Sequence, residues 1–180
     1  MIWKPNTTVA AIIEQDGRFL MVEENTADGV RINQPAGHLD EGETILQGVT
    51  RETLEETAYD FTPTELLGIY LWQRPAKDIT YLRFAFIGKL GEHHSERALD
   101  HGIIRAAWMT PNELRASQAI HRSPQVLKCV EDYLAGQRFP LAVLAHLLSK
   151  RIYEKQKSCR RSFGRGGFLG HRFVAQATRL

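Results

Sequence analysis

Three glutamates, Glu52, Glu55 and Glu56, follow Arg51 directly, and a further acid, Glu43, stands one helical segment upstream. From Glu43 to about Thr57 the apolar residues recur with a helical period, without proline and with Gly48 as the single weak helix former. At about 100° per residue, Ile45, Leu46, Val49, Thr53, Leu54 and Thr57 make one contiguous core-facing arc. Glu52, Glu56 and Glu55 crowd a stripe bordering that arc rather than the opposite side, and Gly48 leaves the stripe bare one turn earlier. Glu52 and Glu56 are a like-charge pair at i,i+4, which costs a helix a few tenths of a kcal/mol. Arg51 can pair with Glu55 but does not neutralise all three acids. A divalent cation would, and oxygen ligands at this density suit Mg²⁺ or Mn²⁺. The competing reading is a solvated acidic face. The closeness of the stripe to the core, and the Gly/Pro loop that leads into it carrying Glu43, weigh against that reading.

The spacing resembles the Nudix box, Gly-x5-Glu-x7-Arg-Glu-U-x-Glu-Glu-x-Gly-U, where U is a bulky aliphatic residue. Gly37, Glu43, Arg51, Glu52, Glu55 and Glu56 all match, and Thr53 and Ala58 depart from it. Thr53 keeps a β-branched shape and can bond the carbonyl one turn back; neither departure removes a carboxylate. The likeness extends to Phe19–Glu24, Asn33–His38, Tyr81–Phe84 and Arg122–Pro140, so it covers about residues 5–145 and is strongest with bacterial phosphatases of that family. It implies an α/β/α sandwich in which a loop–helix–loop holds Mg²⁺ (or Mn²⁺) on a diphosphate while water attacks phosphorus. By the same resemblance Glu52, Glu55 and Glu56 are metal ligands, with Glu52 or Glu56 also a candidate base. Arg51 orients a carboxylate by a bidentate contact, and Glu43 and the carbonyl of Gly37 are further candidates for the metal shell.

Four residues are candidates for the substrate. Arg83 and Tyr81 alternate onto a strand face opposite Leu82, Phe84 and Phe86, the obvious core face. There Arg83 either binds phosphate or lies along the surface, and Tyr81 is placed to stack on a ring. Trp72 is expected as a buried aromatic, with the pocket wall as its alternative. His38 is expected as a loop histidine tied by a backbone hydrogen bond, with substrate contact as its alternative. His93 and His94 read as loop, and Cys129 as a small buried hydrophobe.

The elements that must position these residues form a mixed α/β arrangement. Thr7–Gln15 and Arg18–Asn25 are apolar, β-branched runs joined by Asp16-Gly17, a strong hairpin signal. Asn33–Gly42 reads as a loop. Thr62–Gln73, Ile79–Leu90 and Ile103–Met109 read as strands. Thr110-Pro111-Asn112-Glu113 is a capping box with proline at the first helical position, and Ser123-Pro124 is expected to open a second helix in the same way, ending near Gly136. Leu141–Leu148 reads as a short final helix. Without a regular βαβ rhythm, the pattern predicts a mixed sheet flanked by helices.

At 180 residues, 43% apolar and 24% charged, the chain is long enough for one domain with its own core. No apolar window reaches membrane-spanning length, the start lacks a signal-peptide pattern, and two cysteines thirty positions apart make no disulfide framework. A cytoplasmic protein is therefore expected, with monomer and dimer both open. The charge is divided: residues 150–180 hold nine Lys or Arg against Glu154, while the first 149 residues are net acidic. Residues 1–148 are expected to form the catalytic domain, and 149–180 a basic, Gly/Arg-containing disordered tail. Phe163, Phe168, Phe173 and one Arg-Gly-Gly triplet are too little for a specific nucleic-acid partner.

Three functions compete. The first is a Mg²⁺-dependent hydrolase of small phosphoanhydrides, acting by the resemblance on nucleoside di- and triphosphates and thiamine-type pyrophosphates. The second is a pyrophosphohydrolase of RNA 5′ ends that uses the tail. The third is a catalytically silent nucleotide-binding module, against which the intact carboxylate set argues.

Overall fold

A computed structural model describes residues 3–75 and 79–147. The strands are β1 (Asn6–Ile12), β2 (Glu14–Gln15), β3 (Arg18–Thr26), β4 (Gly29–Asn33), β5 (Ala36–His38), β6 (Tyr59–Gln73), β7 (Thr80–His93), β8 (Ile103–Met109) and β9 (Phe139–Pro140). The α-helices are α1 (Ile45–Thr57), α2 (Pro111–Ala116) and α3 (Gln125–Leu134).

Two sheets share the core. The larger runs β5-β1-β7-β6-β9, with β1 parallel to β7 and the other pairs antiparallel. In the smaller, β3 pairs with β2, β4 and β8. Strand alternation divides the core in two. Ile12, Phe19, Met21, Ala85 and Ile87 pack with Val126, Cys129 and Val130 of α3 and Leu114 of α2. Val9, Ala11, Leu20 and Phe86 pack with Val49 of α1 on the other side. The fold is thus a mixed sheet layer with helices on both faces, as predicted. Because β1 and β7 are covered on both sides, they read as near-continuous apolar runs.

This arrangement removes one of the two readings of Arg83, that of a residue lying along the surface. The strand face that carries Arg83 is not a solvent face: Arg83 is followed on it by Ala85 and Ile87, which meet α3, and Arg83 is itself only 5% exposed.

Smaller corrections follow from pairing partners that a single run of sequence does not display. Asp16 and Gly17 do take positive φ, 52° and 76°, as a two-residue hairpin turn requires. The hairpin, however, consists of just Glu14–Phe19 and Gln15–Arg18, since β1 leaves it to pair with β5 and β7 in the other sheet. The supposed loop 33–42 contains β5, whose Gly37 lies opposite Val9. Helix α3 begins after Pro124 with no side-chain cap, so the Ser123 expectation fails; the Thr110 capping box is present. The stretch after Pro140 makes a single 3-10 turn, Leu141–Val143, instead of a helix. The basic tail, 149–180, lies outside the described residues.

Candidate active site

Helix α1 is fixed at both ends. At its start Thr44 accepts from the Gln47 N–H at 3.2 Å, and the Gln47 side chain accepts from the Thr44 N–H at 2.8 Å, a reciprocal cap. At its end Ala58 turns left-handed, φ 59° and ψ 16°, while its N–H still donates to the Leu54 carbonyl. Between them Val49 and Thr53 are fully buried. The Thr53 hydroxyl donates to the Val49 carbonyl at 2.8 Å, so a threonine at an aliphatic position leaves no unpaired hydroxyl in the core.

The acidic stripe then falls at the edge of the core. Glu52 and Glu56 are 8% and 9% exposed, and Glu55 is half-buried. Arg51 ties the stripe together. Its Nε and Nη2 donate to the two oxygens of Glu43 at 3.1 and 2.7 Å, a bidentate pair. Its Nη1 donates to Glu52 at 2.7 Å and to Glu55 at 3.0 Å, and Nη2 also reaches the His38 carbonyl at 3.0 Å. Glu43 therefore faces Arg51 with both oxygens and, through the Asp40 N–H, also pins the loop before the helix. Gly48 is needed for this contact: a Cβ there would sit 2.9 Å from a Glu43 oxygen.

Glu56 is held differently. It accepts from the Ala36 N–H of β5 at 2.8 Å. Burial pushes its carboxyl up to about 9, reinforced by the negative charges of Glu52, Glu24 and Asp100. Burial also raises the Glu52 carboxyl, against the opposing pull of Arg51. Two buried acids, of which Arg51 bonds only Glu52, form a donor set that a divalent cation fits. A second observation agrees: a Cβ on Gly37 would come within 2.3 Å of the Glu52 carboxyl atoms, so the backbone approaches that carboxylate as closely as glycine permits. Glu52, Glu56, Glu55 and the Gly37 carbonyl are the groups that would hold the ion.

Among the described residues, the one trio whose ligand atoms already lie within 4.8 Å of one another is elsewhere: Asp60 of β6, Glu92 of β7 and His94 just past its end. His94 lies 3.1 Å from Asp60, and His93, at the end of β7, sets its ring against Tyr59, tilted by 32° with centroids 4.3 Å apart, so the two histidines are not a free loop. Of the box carboxylates, Glu52 and Glu55 share one nitrogen of Arg51, while Glu56 turns to the Ala36 N–H.

Next to the Gly37–His38 segment a cavity of about 220 Å³ opens over the β1/β7 face. Four candidate substrate residues, His38, Trp72, Tyr81 and Arg83, all line it. Trp72 is half-buried on the cavity wall, not a core aromatic, and stacks on Tyr81 with centroids 5.7 Å apart and planes at 16°. His38 ends β5, exposed, its ring 6.4 Å from Tyr81. Arg83 donates to Gln34 at 3.0 Å and to Asn33 at 3.2 Å, and burial lowers its proton affinity. Thr8, Glu24, Asn33, Arg122 and Ser123 share the lining and were not singled out from sequence as site residues, although all but Thr8 lie in the stretches that carried the family likeness. What would have found Thr8 is the pairing of β1 with β7, which local patterns do not record. Cys129 is fully buried behind Arg83, and burial raises its thiol to about 11.

A NUDIX domain matches residues 3–129, and the chain belongs to the Nudix family. It is a hydrolase of phosphoanhydride bonds with small-molecule substrates. The chain is 34% identical over 143 residues to the phosphatase NudJ of Escherichia coli strain K12, covering 79% of this chain and 92% of that protein; the NudJ of Shigella flexneri matches equally. A solved Nudix hydrolase from Nitrosomonas europaea is 51% identical, with a TM-score of 0.78, covering 80% of this chain and 98% of that one. Among the described residues no helix is long and apolar enough to cross a membrane.

Proposed function

We propose that this chain is a Mg²⁺-dependent phosphatase of small phosphoanhydrides, with Mn²⁺ able to substitute. Its substrates are nucleoside di- and triphosphates and thiamine-type pyrophosphates. The observation that carries this reading is the pair of buried carboxylates, Glu52 and Glu56, set against the Gly37 cradle at the mouth of a cavity that contains a buried arginine.

When bound, the cation supplies positive charge to the diphosphate and to the oxygen that leaves. The chain's own groups do the rest. Arg51 holds Glu52 and Glu55 in place and, through Glu43, sets the loop that presents the Gly37 carbonyl. Arg83 offers fixed positive charge inside the cavity, where low polarity strengthens its pull on a phosphate. Tyr81 and Trp72 give a flat wall for the organic part, with His38 at the rim. A water molecule attacks phosphorus and passes its proton to Glu52 or Glu56. The tail beyond residue 149 plays no part in turnover of small substrates.

The test is a screen of phosphate and pyrophosphate release over nucleoside di- and triphosphates, thiamine diphosphate and triphosphorylated RNA, with Mg²⁺ and with chelator. Release from the small substrates that stops on chelation is expected. Activity that persists in demonstrably metal-free protein, or that is confined to RNA, would overturn the assignment.

A further inference from the structure

Arg83 is buried with neutral partners. Its Nη1 donates to the Gln34 side-chain oxygen at 3.0 Å and its Nη2 to that of Asn33 at 3.2 Å, both of them amides. Cys129 of α3 interacts with it as a thiol that burial keeps protonated. Glu24 and Glu56 act on it through space and not by hydrogen bond, and its Nε has no hydrogen-bond partner in the protein. A guanidinium taken out of water ordinarily sits against an anion, because a buried unpaired charge is unfavourable. Here amide oxygens hold it in place and leave its charge uncompensated.

The two amides are not free to turn. Gln34 is 1% exposed, and its Nε2 donates to the Val126 carbonyl of α3 at 2.7 Å. A carbonyl only accepts, so the amide must present its NH2 there and its oxygen to Arg83. Asn33 is set in the same way, since its side chain bonds the Glu24 carboxylate, another pure acceptor. Val126 is itself packed in the core with Cys129 and Val130. Arg83 and Asn33 line the cavity, whereas Gln34 lies behind them. Gln34 thus spans from a core-packed helix to the cavity wall, and its reach decides where the guanidinium sits. We propose that Gln34 is a positioning residue: by tying Arg83 to the Val126 carbonyl, it holds an uncompensated positive charge where the phosphate groups of the substrate enter. The inference rests on the reading above, in which Arg83 meets phosphate. Gln34 then acts on substrate solely through Arg83, and a double-mutant cycle separates that from a merely structural part.

The test is calorimetric titration of the full-length protein, in Mg²⁺, with methylenediphosphonate, a diphosphate analogue whose carbon bridge is not hydrolysed. Arg83→Met should weaken binding about tenfold or more, through loss of a charge-assisted contact. Gln34→Met keeps the volume and removes both hydrogen bonds. It should weaken binding about fivefold or more in the native chain, and less than about twofold in the Arg83→Met chain. Gln34→Asn keeps the amide but is one methylene too short for the span; it should give the same pattern, and it carries the test if the methionine variant does not fold. A folded Gln34 variant that binds like the native protein, while Arg83→Met binds weakly, would overturn the positioning role and leave the substrate reading intact. Equal weakening with and without Arg83 would overturn it too, since Gln34 would then act through the adjoining segment 35–37. Full affinity in Arg83→Met would remove Arg83 from the phosphate site and the proposal with it.

Discussion

Glu56 is under two opposed demands. Its place at the core edge favours the neutral acid, while its place in the donor set requires the anion. With a carboxyl raised from its ordinary 4.5 to about 9, the protonated form is favoured by folding. The stabilisation this gives is complete below pH 4.5 and is lost as pH rises through about 9. Metal-free protein should therefore lose stability across that window. A bound cation displaces the proton, so affinity should rise with pH over the same range. The rise in Tm on adding Mg²⁺ should be larger at pH 8 than at pH 6, as thermal unfolding would show; a shift independent of pH would contradict the role given to Glu56. Replacing either buried carboxylate, as Glu52→Gln or Glu56→Gln, should lower kcat on the order of 10²-fold or more with the fold retained. Near-normal turnover at saturating Mg²⁺ would remove that residue from the ligand set. The placement of Glu52 and Glu56 beside the core was legible in the spacing of the box, since a helix repeats its faces locally. Arg83 shows the limit: its alternation with Phe84 was correctly read, but which layers cover each face is decided by α3, far along the chain.

At the scale of elements, the end of α1 is the most testable feature. Ala58 has the left-handed backbone that glycine usually supplies, and it is 2% exposed. Relief of its Cβ crowding would gain about 1–2 kcal/mol. The lost methyl burial costs about 0.8 kcal/mol, and the freer unfolded chain about 0.4–1 kcal/mol. The terms nearly cancel, so Ala58→Gly should move the denaturation free energy by less than about 1 kcal/mol. A helix running through this position would instead lose about 2 kcal/mol in the same experiment, because helix propensity and methyl burial would add. The start and end of α1 were readable from sequence because caps and periodicity are local signals. Strands β4 and β5 were not: their five and three residues owe their strand character to partners on β3 and β1, and a short segment with proline and glycine nearby looks like loop until the partner is known.

For the molecule as a whole, the split of charge separates an acidic body from a basic end. Removing residues 150–180 should leave kcat/KM on nucleoside triphosphates within about threefold of the full chain, read from steady-state kinetics. A truncated protein that folds but no longer turns over would give the tail a part in catalysis. The layered fold and the grouping of the carboxylates on one stripe of α1 were legible in advance, whereas the cavity was not. Its walls come from β1, β3, β4, β5, β6, β7, the start of α3 and the segment before it, and only tertiary pairing brings Thr8, Glu24, Trp72 and Arg122 together.

The parallel pairing of β1 with β7 also sets the order of assembly. Asn6 meets Tyr81, and Ile12 meets Ile87, so this one ladder closes a loop that holds β5, α1 and every carboxylate of the box. Closing a long loop is costly in entropy and slow compared with local pairing. On the ribosome, α1 can form its turns early, but its acidic stripe has no fixed β1–β7 layer to rest on until β7 has been made. The layer beneath the carboxylate stripe is thus completed by a strand that follows α1 in the chain.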